Sequence, residues 1–250
     1  MAKRVIILGG SSGIGEATAK RFAGEGWQVL IASPDLGKCM EVMNKLEGNN
    51  HVVYSLDIRD DKQVEGLHQI VKAQFGSFDV LINSIGISQH LALIESDFSL
   101  WDSSLQIMLY GSVKACRALV PLINSGGRII HITSIHSQRV AKGSSAYGMA
   151  KAAIAQLTRS LAIELAPRNI LANAIAPGFI ETPMSVKEDG KNELDSDWFK
   201  DNYIKGDHLP LKRAGKPEEV AGVAWFLAGP DATYITGSVI TIDGGLTITF

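Results

Sequence analysis

The sequence predicts an α/β protein built on a doubly wound parallel sheet of about seven strands. Short apolar runs alternate with longer amphipathic stretches along the chain, and the runs are almost continuously hydrophobic, as in strands covered on both faces. A glycine-rich loop also follows the first run and opens the first helical stretch. Because strands separated by helices join through right-handed crossovers, helices are expected on both faces of the sheet.

The elements follow one another without an interdomain linker or an internal repeat. The predicted strands are Arg4–Leu8, Gln28–Ala32, His51–Leu56, Asp79–Asn83, Arg128–Thr133, Ile170–Ile175 and Val239–Ile242. The predicted helices are Ile14–Glu25, Leu36–Leu46, Lys62–Phe75, Trp101–Ile123, Ser145–Ala166 and Glu218–Leu227. At 250 residues, one domain spanning 1–250 is expected.

Composition narrows the functional classes. The net charge is −2 and the basic residues form no cluster, which excludes a nucleic-acid partner. The N-terminal apolar run, Val5–Leu8, is too short for a signal peptide or a membrane span. Cys39 and Cys116 lie far apart, so they are predicted to be reduced core residues rather than a disulfide or metal ligands. A cytoplasmic protein without a membrane partner or a metal is expected.

One stretch interrupts the alternation of strands and helices. Residues 182–215 are polar, charged and aromatic, and they show no strand pattern. A connection of this length inside a compact domain is usually functional, which favours a substrate lid over a surface excursion that serves only oligomer contacts.

The glycine-rich loop, "LGGSSGIG", predicts a phosphate-binding turn. Gly9, Gly13 and Gly15 allow a tight turn and a close approach of a pyrophosphate to the backbone, at the positive end of a helix that continues through Ile14. Ser11 and Ser12 add hydroxyl donors. A tight turn without a ligand has the same pattern, but the position directly after the first strand favours nucleotide binding.

Turn-forming and polar residues also follow four further strands, where a doubly wound sheet binds its ligand. Each could serve only in a turn, but together they favour a cofactor site. The predicted cofactor contacts at these strand ends are Ser33, Asp57, Ile58, Asn83, Gly86, Pro177, Gly178, Ile180 and Thr182.

Two tyrosine–lysine pairs share one spacing, Tyr110/Lys114 and Tyr147/Lys151. Residues at this spacing lie on one face of a helix, where an ammonium favours ionisation of a neighbouring phenol. Only Tyr147 has a serine, Ser134, thirteen residues before it at the end of a predicted strand.

Together with "NSIG" (83–86) and "NAIAPGFIETPM" (173–184), these motifs resemble the short-chain dehydrogenase/reductase family over essentially the whole chain. The resemblance implies a seven-stranded Rossmann-type sheet, NAD(H) or NADP(H), and the interconversion of alcohols and ketones. It selects Ser134, Tyr147 and Lys151 as the catalytic residues. Ser134 would hold the substrate oxygen and Tyr147 would exchange its proton. Lys151, together with the positive charge of the nicotinamide, would lower the pKa of Tyr147, and it would also hold the nicotinamide ribose.

The chain departs from the family pattern at three positions. Leu8 stands where the family usually has threonine, and Ser84 where it has a second asparagine. Met108 replaces an asparagine that steadies the helix and a water of the proton relay. Because a thioether donates no hydrogen bond, either the relay takes another route, or turnover is slow, or the chain has lost catalysis.

The second strand bears on the choice of cofactor. It ends in "ASPD", so Ser33 and Pro34 occupy the positions at which an acidic residue would select NAD(H). Asp35 comes late and no arginine is nearby, although Lys38 is within reach. Since a serine tolerates a phosphate better than a carboxylate does, the sequence favours NADP(H), with NAD(H) left open.

The sequence gives less information about the substrate and the oligomeric state. Ser88, His90 and His136 lie near the predicted pocket and suit a hydroxylated substrate such as a sugar or polyol, whereas the aromatic residues of 182–215 suit an apolar ketone. Alternative functions are reduction of 3-oxoacyl thioesters and a catalytically silent nucleotide-binding scaffold or sensor. The resemblance implies a homotetramer or homodimer formed through the fourth and fifth predicted helices.

Overall fold

All seven predicted strands form one parallel sheet. In the computed structural model, which describes residues 2–186 and 189–249, the strands are β1 (Arg4–Leu8), β2 (Gln28–Ser33), β3 (Val52–Ser55), β4 (Phe78–Asn83), β5 (Ile123–Ile132), β6 (Leu171–Pro177) and β7 (Val239–Ile242). Their order across the sheet is β3-β2-β1-β4-β5-β6-β7, with every neighbouring pair parallel. The chain therefore winds from the centre first to one edge and then to the other, which confirms the doubly wound fold.

Helices cover both faces of this sheet. They are α1 (Gly13–Gly24), α2 (Leu36–Met43), α3 (Asp61–Gln74), α4 (Phe98–Leu105), α5 (Gly111–Leu119), α6 (Ser145–Glu164), α7 (Asp197–Phe199) and α8 (Pro217–Ala228). In the part of the chain that the structure describes, no helix is both long enough and apolar enough to cross a bilayer.

Two apolar layers form, one on each side of the sheet. The first packs α1, α2 and α8 against the strands around the fully buried Phe22, and it contains the thiol of Cys39. The second packs α3, α5 and α6 against the opposite face around Leu67, and it contains Cys116. Both cysteines are free and buried, and they are separated by the sheet. Burial of this many aliphatic side chains is the main favourable term in the stability of such a domain.

The fourth predicted helix differs most from expectation. It starts at Phe98, before the predicted Trp101, because the Asp97 carboxylate caps it by accepting a hydrogen bond of 2.7 Å from the Ser99 amide. It contains a π-helical turn, Gln106–Tyr110, between α4 and α5. The helix ends at Leu119 rather than at the predicted Ile123, since Pro121 has no amide hydrogen to continue it.

The segment predicted as a lid, 182–215, contains short helical turns and no strand among its described residues. It is tied to the rest of the molecule by a parallel bridge between Ile180 and Gly215, where it begins and ends. Two of its residues, Lys187 and Glu188, lie outside the described part of the chain.

Candidate active site

A cavity of about 1040 Å³ opens at the carboxyl ends of the strands. The loops after β1, β2, β3, β4, β5 and β6 all contribute to its lining, together with the segment 182–215. Its centre lies between β1 and β4, the neighbouring strands from which the chain winds in opposite directions. This is the place where a doubly wound sheet binds its ligand.

The glycine turn after β1 shapes one wall of this cavity. Gly9 has a φ of +74°, and a Cβ there would lie 2.8 Å from the carbonyl oxygen of Ser84 in the loop after β4. At Gly15 a Cβ would lie 2.1 Å from the Gly9 carbonyl oxygen, so helix and turn pack more closely than any side chain allows. Ser12 forms no side-chain hydrogen bond to the first turn of α1, which leaves amides there available to an anion. The turn therefore fits a dinucleotide pyrophosphate.

The end of β2 presents hydroxyl groups to the cavity. The Ser33 hydroxyl lies 2.8 Å from that of Ser11 in the glycine turn, and both residues line the cavity. Asp35, the nearest acidic residue, instead caps α2 by accepting a hydrogen bond of 3.0 Å from the Lys38 amide. The end of β2 therefore presents two hydroxyl groups where a site selective for NAD(H) would have a carboxylate.

The loop after β3 carries an ion pair that the sequence did not indicate. Both carboxylate oxygens of Asp57 accept from the Arg59 guanidinium, at 3.0 and 2.7 Å. The hydrogen bonds from Arg59 lower the pKa of Asp57. Arg59 also lines the cavity, so a cation as well as the predicted Asp57 and Ile58 faces this end of the site. The adjacency of Arg59 to Ile58 in the sequence was the available signal.

Two of the predicted cofactor residues do not line the cavity. The side chain of Asn83 donates to the Ser112 hydroxyl at 2.8 Å and accepts from the Ile85 amide at 3.2 Å, so it joins the end of β4 to α5. Gly15 serves the packing of α1 against the turn. The other predicted cofactor residues all line it: Gly9, Ser11, Ser12, Gly13, Ile14, Ser33, Asp57, Ile58, Gly86, Tyr147, Lys151, Pro177, Gly178, Ile180 and Thr182.

Ser134 and Tyr147 meet in the same cavity. Ser134 follows β5 and accepts a hydrogen bond of 3.1 Å from the His136 amide, which fixes its hydroxyl at the strand end. Tyr147 lies in the first turn of α6, near enough to Ser134 for the serine to favour its phenolate. The sequence separation of thirteen residues thus becomes a direct contact.

Burial dominates the electrostatics of Tyr147 in the protein alone. Desolvation raises the pKa of its phenol, and the interaction with Ser134 offsets this only in part. The Lys151 ammonium lies 5.7 Å from the ring centre. The expected shift toward phenolate involves the charge of the nicotinamide as well as that of Lys151, so it stays a prediction.

Lys151 is completely enclosed below Tyr147. Its ammonium donates to the carbonyl oxygens of Ile132, at 2.9 Å, and Ile85, at 3.1 Å, which fix it between the ends of β5 and β4. An ammonium has three hydrogens, so one remains for a further acceptor. Burial lowers the pKa of Lys151 to about 8.

A chain of polar side chains runs through the core beside Lys151, and sequence reasoning missed it. The Cys116 thiol lies 3.6 Å from His131 Nε2, and His131 Nδ1 lies 2.8 Å from the Thr158 hydroxyl. Burial and the charge of Lys151 lower the pKa of His131 to about 4, while burial raises that of Cys116 to about 12. Both groups are therefore neutral, and the chain is a hydrogen-bonded part of the core.

The second tyrosine–lysine pair lies elsewhere. Tyr110 is half exposed and does not line the cavity in the described part of the chain. Lys114 forms an ion pair with Asp61 at 2.6 Å on the outer surface. The two pairs thus have the same spacing in the sequence, but only one of them lies at the cavity.

Met108 lies inside the π-helical turn and is fully buried. Its side chain packs with Ala150 and Ile154 of α6. Its carbonyl oxygen accepts a hydrogen bond of 2.5 Å from the Ser112 hydroxyl, the same group that accepts from Asn83. The Met108 side chain therefore makes an apolar contact between two helices, and the polar contact at this position is made by its backbone carbonyl group.

All three predicted substrate residues line the cavity. The His136 ring meets the Tyr147 ring edge to face, with centres 5.7 Å apart. His90 lies against Gly143, where a Cβ would come within 2.3 Å of its ring. Ser88 precedes it in the same exposed loop. The sequence did not single out Lys142 or Glu193, which also line the cavity.

Comparison with known proteins agrees with this architecture. The model of a family described as enoyl-(acyl carrier protein) reductase matches residues 9–247. The 3-oxoacyl-[acyl-carrier-protein] reductase FabG of Thermotoga maritima is 36% identical over 250 residues, covering 98% of each chain. The structure of a dehydrogenase/reductase from Sinorhizobium meliloti 1021 superposes with a TM-score of 0.89 at 33% identity, covering 98% of this chain and 96% of that one. Thermoplasma acidophilum aldohexose dehydrogenase gives 0.86 at 30% identity, covering 100% and 95%.

A glycine turn at the switch point of a seven-stranded parallel sheet, together with these matches, defines a nicotinamide-dependent oxidoreductase. The chain belongs to the short-chain dehydrogenase/reductase family. The expected family and enzyme class are confirmed, and the silent scaffold is set aside.

Proposed function

We propose that this enzyme interconverts a secondary alcohol and a ketone with Ser134, Tyr147 and Lys151 as its catalytic residues. The observation that carries the proposal is that Ser134, Tyr147 and Lys151 line one cavity, with the Lys151 ammonium held by the carbonyl oxygens of Ile132 and Ile85. Of the two tyrosine–lysine pairs, this one faces a space large enough for both a dinucleotide and a substrate.

Each residue has a distinct role in this proposal. The nicotinamide supplies or accepts the hydride when NAD(P)(H) is bound. In reduction, Tyr147 gives its phenol proton to the carbonyl oxygen as the carbon becomes an alcohol, and in oxidation the proton returns. Ser134 donates a hydrogen bond that orients the substrate oxygen. Lys151 stabilises the phenolate that is left behind, and its unused hydrogen suits the ribose of the cofactor.

The raised pKa of Tyr147 suits ketone reduction. A phenol that stays protonated is ready to act as the acid. Oxidation requires the phenolate, which a positively charged nicotinamide favours by attraction.

NADP(H) is the favoured cofactor. The Ser11–Ser33 hydroxyl pair at the end of β2 offers donors to a 2'-phosphate, whereas the nearest carboxylate, Asp35, is engaged in capping α2. Arg59 adds a cation at the same end of the cavity, although it is paired with Asp57. The end of β2 therefore offers neutral hydrogen-bond donors to the phosphate instead of a carboxylate that would repel it.

Residues 182–215 are proposed to form the substrate lid. Trp198, Tyr203 and Glu193 of this segment line the cavity. Phe199 is buried and meets Phe179 edge to face, with ring centres 4.9 Å apart, which joins the lid to the loop after β6. An aromatic contact of this kind holds the lid in a defined position against the strand ends.

The proposal is tested with Tyr147→Phe, which keeps the ring and removes the proton. Ketone reduction and alcohol oxidation are expected to fall about 10²–10⁴-fold in kcat, followed by nicotinamide absorbance. Titration of both proteins with NADPH and NADH by fluorescence is expected to give unchanged affinities, with NADPH bound more tightly. Hydride transfer that survives in Tyr147→Phe would refute the role of Tyr147, and tighter binding of NADH would reverse the cofactor preference.

Reduction of 3-oxoacyl thioesters is the second candidate, favoured by the identity with the Thermotoga maritima enzyme of that name. A sugar or polyol substrate is favoured in turn by the Thermoplasma acidophilum structure. An assay that presents an acyl-carrier thioester beside polyols separates the two. A cytoplasmic location agrees with two free, unpaired thiols, since disulfides are uncommon in that compartment.

A further inference from the structure

The loop between β3 and α3 brings two charged side chains to one end of the cavity. Asp57 and Arg59 both line the cavity, and they form an ion pair with an oxygen–nitrogen distance of 2.7 Å. In the sheet, β5 and the following Ser134 lie on one side of β1 and its glycine turn, whereas β2 and β3 lie on the other. Because the turn fits the pyrophosphate, the loop after β3 lies on the side away from the reacting centre, where the adenosine half of a dinucleotide belongs.

The start of α5 supports this loop by direct contact. A Cβ at Gly111, the first residue of α5, would lie 2.8 Å from two carbons of the Ile58 side chain. Carbon atoms do not pack this closely, so Ile58 can lie directly on the helix only because position 111 is a glycine. The residue between Asp57 and Arg59 is thus held against the backbone of α5.

Lys114, one turn further along α5, holds the residue after Ile58. Its ammonium donates a hydrogen bond of 3.1 Å to the Arg59 carbonyl oxygen and forms an ion pair of 2.6 Å with Asp61, the first residue of α3. The ion pair alone contributes little, because the Asp61 side chain is largely exposed. The charge-assisted bond to a backbone carbonyl is therefore the contact that ties the loop to α5. Hydrogen bonds from Arg59, with a smaller contribution from the charge of Lys114, lower the pKa of Asp57, which agrees with this arrangement.

α3 is attached to α5 by other contacts as well. His68 Nδ1 donates a hydrogen bond of 2.7 Å to the Ala118 carbonyl oxygen, further along both helices. Leu67 of α3 and Leu119 of α5 are fully buried in the same apolar layer. Loss of the Lys114 ammonium is therefore expected to free the loop while both helices stay in place.

We propose that Lys114 is a positioning residue for the cofactor, which holds the loop after β3 so that Asp57 and Arg59 can contact the adenosine half of NAD(P)(H). In the described part of the chain Lys114 does not itself line the cavity, so it acts through the loop alone. The lysine of the second tyrosine–lysine pair thus serves cofactor binding rather than proton transfer. This inference rests on the proposed function for the place of the cofactor, but it does not depend on the roles of Ser134 and Tyr147.

Fragments of the cofactor test the proposal. AMP and its 2'-phosphorylated form carry only the adenosine half, whereas reduced nicotinamide mononucleotide carries only the other half. In Lys114→Met the dissociation constants of NADPH and of the adenosine fragments are expected to rise about five- to tenfold, because the loop loses its charge-assisted contact. The dissociation constant of reduced nicotinamide mononucleotide is expected to stay within about twofold. Calorimetric titration measures these constants without turnover, with displacement of NADPH for the weaker fragments.

Two further variants assign the effect to this contact. Lys114→Arg keeps a cation that can donate to the Arg59 carbonyl oxygen, and it is expected to bind NADPH within about twofold of the wild type. Lys72→Met removes an exposed lysine of α3 outside the cavity lining and is expected to change none of the constants. An equal loss of NADPH affinity in Lys72→Met and Lys114→Met would overturn the proposal, since it would reflect overall charge.

The outcomes distinguish this inference from the proposed function. If NADPH binding is unchanged in Lys114→Met, or if affinity for reduced nicotinamide mononucleotide falls as much as that for the adenosine fragments, the positioning role is wrong and the function stands. If Tyr147→Phe leaves hydride transfer intact, the proposed catalytic role fails, and the positioning role is still decided by the binding data. If the wild type binds neither dinucleotides nor adenosine fragments, both proposals fail.

Discussion

Lys151 shows how a single residue is affected by its position in the fold. An ammonium enclosed between β4 and β5 is bound by two carbonyl oxygens, yet burial still brings its pKa from 10.5 to about 8. The favourable contacts therefore do not fully replace the water that the charge has lost. The burial of Lys151 therefore lowers the stability of the folded state.

This cost predicts a pH dependence of stability. Because the folded pKa of Lys151 is the lower one, the unfolded chain binds the additional proton between pH about 8 and 10.5, and the destabilisation is relieved as the pH rises. The free energy of unfolding of the wild type, relative to Lys151→Met, is expected to increase by about 1–2 kcal/mol from pH 7.5 to pH 9.5. Urea unfolding of both proteins at the two pH values measures this difference. A constant or falling difference would show that the ammonium is not desolvated.

At the scale of the residue, the sequence predicted which side chains meet but not their electrostatics. The resemblance to the family, carried by the separation of Ser134 from Tyr147 and the strand end before Ser134, led to the expectation that the two side chains meet. The direction of the Tyr147 pKa depended on burial by residues distant in sequence, which spacing does not encode. The pairing of Cys116 with His131 was unpredictable for the same reason, since it joins α5 to β5.

At the scale of the element, the long helix before β5 contains Met108, where the resemblance led us to expect an asparagine. Its π-helical turn places Met108 in an apolar contact with α6, while Ser112 and Asn83 supply the buried polar connections around it. We expect that an asparagine at position 108 does not improve turnover, because the buried polar groups around it already have partners.

Met108→Asn tests this inference. The amide would enter a cluster of mainly apolar side chains, and the free energy of unfolding is expected to drop by about 2–4 kcal/mol. Met108→Leu, which conserves volume and apolar character, is the control and is expected to cost less than about 1.5 kcal/mol. Thermal unfolding and kcat are measured for all three proteins. An unchanged stability with a higher kcat in Met108→Asn would show that the methionine limits catalysis.

The lid gives the second prediction at this scale. Trp198 is more than half exposed although it lines the cavity, and it meets Tyr203 edge to face. Trp198→Ala is expected to raise the substrate KM about tenfold and to leave NADPH affinity unchanged, because the removed ring covers substrate rather than nucleotide. Steady-state kinetics and fluorescence titration separate the two effects. A loss confined to NADPH affinity would place the lid over the cofactor instead.

Element boundaries were predicted well where a local signal exists. α6 was expected from Ser145 and begins there, and β1 matches at both ends. The long helix before β5 was misplaced at both ends because its Asp97 cap and its Pro121 stop were not used, although both signals are local. Its π-helical turn has no comparable sequence signal and depends on packing against α6.

At the scale of the whole molecule, alternation of apolar runs was enough to predict the sheet, because parallel strands buried on both faces have a distinctive composition. The order of the strands and the cavity at their ends follow from the right-handed crossovers. The pairing of the loop that contains His90 with the loop that contains Lys142 could not be predicted in this way. It depends on a contact between two irregular loops, for which the sequence has no periodicity.

Assembly is a further property of the whole molecule. Leu93, Ile94, Phe98 and Leu100 expose apolar side chains together at the start of α4, and Met149 does so on α6. A homotetramer or homodimer that covers these residues is expected. Sedimentation velocity should give a dimer or tetramer for the wild type and a smaller species for Phe98→Glu, with Lys72→Glu as the charge-matched control. A wild-type monomer would contradict this prediction.

The reactivity of the two thiols can report how the two apolar layers unfold. Cys39 and Cys116 lie in different apolar layers, and burial raises the pKa of both, so neither reacts while its layer is intact. In variants that keep only one of the two cysteines, the rate of reaction with a thiol reagent would measure how often the layer on that face of the sheet becomes exposed. Equal rates would mean that the molecule opens as one cooperative unit, and unequal rates would identify the face that loosens first.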